Sequence, residues 1–404
     1  MTAESETPLN ILVLNCGSTT VKFKLIDARS RKVAVEGGVD RVGRPDCVGK
    51  SRVLSEGNER RETALPSASF ADAMGWVFSR LPAELPLAAV GHRVVHGGSY
   101  FSEAAPIDED SLRKIEECIP LAPLHNPVEL AGIRESVRIH GEIPQFASFD
   151  TAFHQSKSAL NASFALPREL AEKFGYRKFG FHGASHKYVA GRAAALLGRE
   201  LPSLKLVTCH LGGGSSVAAV QGGVAVDTTA TYGTFTGMPM GTRSGDIDAG
   251  VLLDMLMRRN MSAEEIYELI YKRSGLLALS GVSADMAELE TLEAQGHEGA
   301  RFARDYYAYA LKRFVASLAA VMNGIDGLVF TAGIGEHDVG IRERVCRDLE
   351  WLGVRLDFDR NRERGGERIV STQDSAVAVM VIPTDEELAI ALEVAELLDR
   401  KRGA

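Results

Sequence analysis

The sequence lacks the features that place a protein in a membrane or attach it broadly to nucleic acid. No apolar run approaches the roughly 18 residues that a membrane-spanning helix requires. The opening segment MTAESETPLN is polar and acidic, so we expect no signal peptide. The formal net charge is −8, from 46 Lys and Arg against 54 Asp and Glu, which argues against general nucleic-acid binding. We therefore expect neither a membrane nor a nucleic acid as a partner.

Cysteine is also scarce, and its spacing excludes the common disulfide and zinc frameworks. The 5 cysteines are odd in number, and none lies in a Cys-x-x-Cys pair. This pattern predicts reduced thiols and favours a cytoplasmic location. HGASH places His182 and His186 at the spacing of a zinc pair but lacks the glutamate of a zinc protease, and GRPDCVGKS has one residue too many for a phosphate loop. We therefore interpret HGASH as no zinc site and GRPDCVGKS as no phosphate loop.

The sequence contains an alternation of strand-like and helix-like segments. Strand patterns occur at residues 10–40, 88–98, 145–150, 204–229, 327–333 and 376–382. Helical patterns occur near 66–82, 108–118, 127–138, 184–198, 246–259, 262–273, 300–324, 338–351 and 385–401. Alternating elements of this kind predict an α/β protein.

Two glycine-containing stretches, LVLNCGSTTVKF (12–23) and LVTCHLGGGSSVAA (206–219), share one plan. Each is a strand, a turn of small residues and a second strand, which suggests an internal duplication with one phosphate-binding hairpin per domain. Because glycine lacks Cβ, successive backbone N–H groups can turn inward and bind an anion. The alternative, a tight hairpin filled by small residues, stays open for either stretch alone and is less attractive for two matched copies.

Several motifs together resemble the acetate kinase family of the actin/hexokinase/Hsp70 superfamily. They run in family order from residue 10 to 392: NCGSTTVKF, GHRVVHGG, APLHNP, FDTAFHQ, FGFHGASH, CHLGGGSS, MGTRSGDID, FTAGIGEH and PTDEELAIA. The resemblance implies duplicated RNase H-like (actin-like ATPase) domains, with mixed sheets flanked by helices and a cleft between the domains. Domain I would comprise residues 1–152 plus 385–404. Domain II would comprise residues 153–384, bind the nucleotide and form the interface of a homodimer.

The activity that the resemblance implies is reversible transfer of the ATP γ-phosphoryl group to acetate, giving acetyl phosphate and ADP, with Mg²⁺ (or Mn²⁺) as cofactor. A carboxylate is already ionised near neutral pH, so catalysis depends on positioning and on charge neutralisation rather than on a general base. The catalytic residues carried over are Arg93, Asp150, His182 and Arg243. A planar guanidinium suits carboxylate and phosphoryl oxygens better than an ammonium group does.

The remaining site residues are also carried over position by position from the family motifs. The acid pocket would be Arg93, Val95, Leu124, Phe181 and Thr234, and the metal ligands would be Asn15 and Glu386. The nucleotide would contact Lys22, His210, Leu211, Gly212, Gly213, Gly214, Asp285, Met286, Ala287, Gly333, Ile334, Gly335, Glu336 and His337. His125 would be a further histidine of the active site, as would His210. Each residue also has a structural interpretation, such as a core histidine or a first-turn glutamate, and the motif context argues against it.

Four positions depart from the family pattern. Gly213 replaces the usual asparagine, Ala287 replaces an arginine near the adenine, Thr234 replaces a proline of the methyl pocket, and Thr236 replaces a glutamate. Loss of the arginine would weaken nucleotide affinity or relax base selectivity. A hydroxyl in the methyl pocket would favour a slightly larger or more polar acid, although one such change alters discrimination by only about 1–3 kcal/mol. Acetate therefore remains the first choice and propionate, or another short-chain acid, the second.

Two other classes share the predicted fold. A sugar or glycerol kinase would need a carboxylate base for a hydroxyl acceptor and would have less use for two arginines. An Hsp70-like ATPase switch would need an appended peptide-binding domain, and none is expected because the last predicted helix runs to about residue 401. Trapping of an acyl phosphate by hydroxylamine separates a kinase from a switch.

Overall fold

The structure, a computed structural model, describes residues 7–54 and 59–403, with no side-chain description for 402 and 403. Much of the segment on which the absence of a signal peptide was predicted, residues 1–6, lies outside the described part. The chain forms two compact units, Met1–Phe153 with Asp385–Ala404 and His154–Thr384. The predicted division differs from this one by a single residue at the first boundary. The roles assigned to the two domains remain predictions.

The first unit is built on an eight-stranded sheet with the order β5-β4-β3-β2-β1-β6-β8-β7. Its strands are β1 (Asn10–Gly17), β2 (Thr20–Asp27), β3 (Lys32–Asp40), β4 (Val48–Val53), β5 (Glu59–Ala64), β6 (Ala89–Val94), β7 (Ala105–Pro106) and β8 (Gln145–Phe149). β4 and β5 were not predicted, because β5 is the charged run ERRETA and carries no apolar alternation.

Four helices complete the first unit: α1 (Phe70–Phe78), α2 (Glu109–Glu117), α3 (Asn126–His140) and α15 (Glu386–Gly403). α1 begins at a capping box in which Ser69 and Asp72 bind each other's backbone N–H groups. α15 packs on β6 at Gly91, where a Cβ atom would lie 3.0 Å from Ile390. The glycine thus lets the helix approach the sheet, and Glu386 is the first residue of that helix.

The second unit is built on a six-stranded sheet with the order β11-β10-β9-β12-β14-β13. Its strands are β9 (Lys205–Leu211), β10 (Ser215–Gln221), β11 (Val224–Thr228), β12 (Gly327–Thr331), β13 (Arg368–Ile369) and β14 (Ala378–Val381). Tyr307, Leu311 and Val315 of a long helix pack with Leu328 and Phe330 of β12 to form the centre of its core.

The helices of the second unit include six that the sequence patterns did not predict. Its helices are α4 (Ala159–Ala162), α5 (Arg168–Phe174), α6 (Gly183–Leu197), α7 (Ala249–Met257), α8 (Ala263–Lys272), α9 (Gly275–Ser280), α10 (Met286–Ala294), α11 (Glu298–Val321), α12 (Ala332–His337), α13 (Val339–Arg347) and α14 (Phe358–Arg362). The unpredicted ones are α4, α5, α9, α10, α12 and α14, most of which span too few turns to give a helical period. The residues from Gly333 to His337, which were predicted to contact the nucleotide, thus lie in the helix α12.

Five central strands have the same order and the same directions in each of the two sheets. In the first unit β3, β2 and β1 are antiparallel neighbours, and β1, β6 and β8 are parallel neighbours. In the second unit β11, β10 and β9 are antiparallel, and β9, β12 and β14 are parallel. The same order and the same directions in both units confirm the predicted duplication of an RNase H-like, actin-like domain within an α/β fold.

Within the described residues, no helix is both long enough and apolar enough to cross a bilayer. All five cysteines are buried free thiols.

Candidate active site

The first unit places its hairpin and its arginine at neighbouring strand ends. β1 and β2 pair through Gly17 and Thr20, so that Asn15 lies opposite Lys22. Arg93 is the penultimate residue of β6, the parallel neighbour of β1. The carboxyl ends of parallel strands are where α/β sheets commonly bind ligands.

Arg93 and Asp150 form a bidentate ion pair. Arg93 Nε donates to Asp150 Oδ1 over 3.0 Å, and Nη2 donates to Oδ2 over 2.6 Å. Nη1 reaches Asn15 Oδ1 at 3.4 Å, and Glu386 Oε2 lies 3.9 Å from Nε. Burial alone would lower the pKa of Arg93, but Asp150 and Glu386 outweigh it and raise that pKa. Four of the predicted residues of this unit, Asn15, Arg93, Asp150 and Glu386, are therefore brought together.

Two carboxyl groups beside Arg93 hold their protons more tightly than usual. Burial is the largest cause that raises the pKa of Glu386 to about 7, and Asp150, Glu387 and Asp385 add to it against Arg93. Burial likewise raises the pKa of Glu129 on α3 to about 8. A region with more carboxylates than cations favours the binding of a further positive charge.

Glu129 was not predicted, and it supports a predicted residue. Its Oε2 accepts the backbone N–H of Val95 over 2.9 Å, and Val95 itself is buried. Leu124, by contrast, is 51% exposed, immediately before the N-terminal residues of α3. His125 is the N-cap residue of α3. The only sequence signal for Glu129 is its position on the apolar face of a predicted helix. A glutamate is rarely buried without a partner.

In the second unit the glycine hairpin lies against two predicted catalytic side chains. β9 and β10 are joined by Gly212, Gly213 and Gly214, and the Gly212 N–H donates to the Gly214 carbonyl over 3.0 Å. A Cβ atom at Gly214 would lie 2.9 Å from His182 Nε2 and 3.3 Å from Arg243 Nη2. Only glycine at this position lets the hairpin backbone approach both side chains so closely.

His182 is held in an uncommon backbone conformation. Its φ is 56°, a left-handed value rare for a residue with a side chain, at the start of α6. Its ring stacks on that of His210 with 4.2 Å between centroids. The preceding residue, Phe181, is buried, and its carbonyl contacts His154 Nε2 at 2.9 Å. Burial lowers the pKa of His154 to about 3, so the ring is neutral at physiological pH.

Arg243 is held by backbone carbonyls rather than by a carboxylate. Nη1 donates to the Thr234 carbonyl over 2.6 Å, and Nη2 to that of Gly213 over 3.3 Å. Burial lowers the pKa of Arg243, partly offset by Tyr271. The hydroxyl of Thr236 braces the same loop, since it accepts the Thr231 N–H over 2.9 Å. Of the two departures from the family pattern in this loop, Thr236 thus makes a side-chain hydrogen bond, whereas the bond at Thr234 is made by the backbone carbonyl, which any residue provides.

A cavity of about 420 Å³ collects most of the predicted nucleotide residues of the second unit. The predicted residues on its wall are Gly212, Gly213, Asp285, Met286, Ala287, Gly333, Ile334 and His337. Leu211 and Gly335 are buried beside it in β9 and α12, and Glu336 accepts the Thr384 N–H. Sequence reasoning missed Glu290, Asp338 and Arg364, which also line the wall. The only signal for Arg364 was its position before two glycines.

These features define the class of protein: a duplicated actin-like ATPase fold in which each unit carries a glycine-containing hairpin and an arginine. The sequence profile of the acetokinase family matches residues 10–392, and the chain belongs to that family. The acetate kinase of Acetivibrio thermocellus is 41% identical over 400 residues, covering 96% of this chain and 99% of that protein. The acetate kinase of Thermotoga maritima is 41% identical over 403 residues, covering 97% and 99%.

Two solved structures are similar to the whole chain. The acetate kinase of Porphyromonas gingivalis is 40% identical with a TM-score of 0.90, covering 96% of this chain and 100% of that one. A propionate kinase of Francisella tularensis is 39% identical with a TM-score of 0.89, covering 95% and 98%. Family membership and fold class, both predicted from the sequence, are confirmed.

Proposed function

We propose that this protein is an acetate kinase, which transfers the γ-phosphoryl group of ATP reversibly to acetate and forms acetyl phosphate and ADP. Family membership across residues 10–392 supports the reaction. The single structural observation that carries it is the placement of His182 and Arg243 against the glycine hairpin at Gly214. A permanently charged guanidinium and a histidine ring beside the backbone N–H groups of a glycine hairpin are the groups that a transferring phosphoryl group requires.

In the first unit Arg93 binds the carboxylate of the acid. Its guanidinium is held in a fixed plane by Asp150, so it offers an ordered charge to an incoming anion. Val95, fixed through its N–H by Glu129 and itself buried, provides apolar surface for the methyl group. Exclusion of water by this surface strengthens the charge interaction between Arg93 and the substrate.

The residues present fit a divalent cation. Asn15 and Glu386 offer hard oxygen ligands, and Glu386, whose pKa is raised first by burial and further by Asp150, Glu387 and Asp385, lies where a bound cation would stabilise its ionised form. No group of three or more His, Cys, Asp or Glu suited to a metal occurs in residues 7–54 or 59–403. That suits Mg²⁺, which usually takes one or two protein ligands and completes its shell with water and substrate phosphates. When bound, Mg²⁺ would neutralise phosphate charge during the transfer; Mn²⁺ is the alternative ion.

In the second unit the nucleotide occupies the cavity of about 420 Å³ beside α10 and α12. The backbone of Gly212 to Gly214 binds its phosphates, and Asp285, Met286 and Ile334 contact the adenosine. His182 and Arg243 then neutralise the negative charge on the phosphoryl oxygens in the transition state. His210, whose ring stacks on that of His182, supports these groups.

A second candidate acid is propionate or another short-chain carboxylate. The observations that favour it are the similarity to a propionate kinase at a TM-score of 0.89 and the threonine at position 234. The reaction and the catalytic groups are the same for both acids.

The test is a panel of short carboxylates with ATP and Mg²⁺, in which hydroxylamine traps the acyl phosphate and kcat/KM is measured for each acid. Acetate is expected to give the highest value and propionate the next. Hydrolysis of ATP without any trapped acyl hydroxamate would contradict the proposal.

A further inference from the structure

A chain of buried polar side chains reaches His182 from the side opposite the glycine hairpin. Ser216 Oγ lies 2.8 Å from His182 Nδ1 and 2.8 Å from His186 Nε2. His186 Nδ1 lies 2.7 Å from Thr208 Oγ1. Thr208, His186 and Ser216 are all fully buried, so bulk water does not compete for these bonds.

The number of available protons determines which atom donates in each of these hydrogen bonds. The Thr208 hydroxyl donates to the Ala218 carbonyl, which can only accept, over 3.5 Å. A hydroxyl has one proton, so Thr208 Oγ1 accepts from His186 Nδ1. Burial, and next His154 and His210, lower the pKa of His186 well below its ordinary value, so that ring is neutral and has one N–H. His186 Nε2 therefore accepts the proton of Ser216, and Ser216 Oγ accepts from His182 Nδ1.

We propose that Ser216, oriented by His186 and Thr208, is a positioning residue that keeps a proton on His182 Nδ1 and reserves Nε2 for the phosphoryl group. This inference rests on the proposed function for the identity of the group that Nε2 meets. The hydrogen bond made by one ring nitrogen of a histidine sets the state of the other. With Nδ1 engaged, His182 donates from Nε2 only as an imidazolium, which carries the positive charge that phosphoryl transfer needs.

The surroundings of the ring agree with this assignment. His182 Nε2 is the nitrogen on the side of Gly214, 2.9 Å from where a Cβ would stand. The stacked ring of His210, at an interplanar angle of 12°, prevents rotation out of this plane. Ser185 Oγ in turn contacts His210 Nδ1 at 2.8 Å. The ring is thus fixed in plane by stacking and in direction by Ser216.

The tautomer can be measured without turnover. In protein labelled with ¹⁵N-histidine, the His182 signals are assigned by their loss in His182→Asn. At a pH where the ring is neutral, we expect the proton on Nδ1, and we expect Ser216→Ala to shift the population toward the Nε2-protonated form. The matched control is Ser215→Ala, which removes a buried hydroxyl bonded to Tyr307 and should leave the His182 signals in place. A neutral wild-type ring protonated on Nε2 would overturn the proposal.

Kinetics provide the second measurement. Ser216→Ala should lower kcat by about ten- to a hundredfold, since a misplaced catalytic group costs on this order. The KM values for acid and MgATP should change less than about twofold, because the defect lies in the transition state. Wild-type kcat in Ser216→Ala would also overturn the proposal. If Ser216→Ala does not fold, Thr208→Val, which keeps the side-chain shape, should show the same tautomer shift. Absence of any acyl hydroxamate with the wild type contradicts the proposed function. The ¹⁵N spectra still test whether Ser216 sets the tautomer of His182.

Discussion

At the scale of single residues, the two arginines are held by different kinds of partner. Arg93 has a carboxylate, Asp150, bound to both arms of its fork, whereas Arg243 donates to neutral carbonyls of Thr234 and Gly213. Arg243 therefore retains more uncompensated charge, while Arg93 depends more on its planar geometry. Lysine, a point charge without a fork, should therefore substitute better for Arg243 than for Arg93.

Arg93→Ala and Arg243→Ala should each lower kcat by about two orders of magnitude or more, since each removes charge compensation made in the transition state. Lysine should recover only part of the loss, and less at position 93 than at 243. Steady-state kinetics on acetate test this, with Arg192→Ala, which breaks an ion pair with Glu367, as a control outside the site. Full activity in either lysine variant would refute the assignment of a guanidinium clamp.

Lys157 is a buried lysine that makes its two hydrogen bonds to carbonyl oxygens. Only 6% exposed, it donates to His154 O over 2.7 Å and to Phe179 O, near Phe181 and His182. Burial, and next Arg177 and Lys178 against Asp227, lower its pKa from 10.5 to about 7. A neutral amine has two N–H groups, which match two carbonyls.

This lysine makes folding stability depend on pH. Between pH 7 and the unfolded pKa of 10.5 the unfolded state binds more protons at Lys157, so the free energy of unfolding rises with pH across that window. Lys157→Met lacks this contribution. As the pH is raised from about 6.5 to 9.5, the thermal midpoint of the wild type should therefore rise relative to that of the variant. Lys173→Met, at an exposed position in α5, is the control and should show no such trend. Equal pH slopes for wild type and Lys157→Met would refute the prediction.

At the scale of elements, the loop from Thr231 to Gly237 holds Arg243 through the Thr234 carbonyl. Thr234 is also the residue predicted to line the acid pocket. Threonine leaves φ free where proline would fix it, so an apolar wall at this position would be less rigid. On that prediction the same residue would affect both the placement of the cation and the fit of the methyl group.

Thr234→Pro should lower KM for acetate several-fold with little change in kcat, the signature of restored ground-state binding. Propionate should gain less, because a tighter wall leaves less room for its extra methylene. Thr234→Val removes the hydroxyl without fixing φ and separates the effect of losing the hydroxyl from that of the gain in rigidity. An unchanged acetate-to-propionate ratio of kcat/KM in Thr234→Pro would mean that Thr234 does not line the pocket.

The sequence predicts elements and contacts that depend on local pattern, and it misses those that depend on the partner across the fold. Both glycine hairpins were predictable, because a turn of small residues between two apolar strands is a local signal. Glu129 and Lys157 were not, since nothing near them indicates that α3 buries the first or that the Phe179 carbonyl meets the second. β5 was missed for the same reason: its pairing with β4, rather than its composition, makes it a strand.

At the scale of the whole molecule, the second unit leaves an apolar helix uncovered. α7 has the sequence AGVLLDMLM, and none of its residues is buried. Leu253 is 54% exposed and Met257, one turn later, 76%. A helix that is apolar on most sides is normally buried, and covering one such side chain contributes about 1.5–3 kcal/mol. We propose a second copy of the chain as the cover, in agreement with the homodimer that the family resemblance implies.

Leu253→Asp combined with Met257→Asp should convert a dimer into a monomer, because the pair places two carboxylates in each copy of a self-complementary interface. Light scattering during size-exclusion chromatography measures the mass directly. The matched control is Phe302→Asp on α11, where Phe302, Tyr306 and Tyr309 form another exposed apolar stripe of this unit, and it should leave the dimer intact. If Phe302→Asp dissociates the dimer and the α7 variant does not, the interface lies on α11. A wild type that is monomeric at all concentrations would exclude both α7 and α11 as dimer interfaces. The apolar residues of α7 would then be exposed to solvent.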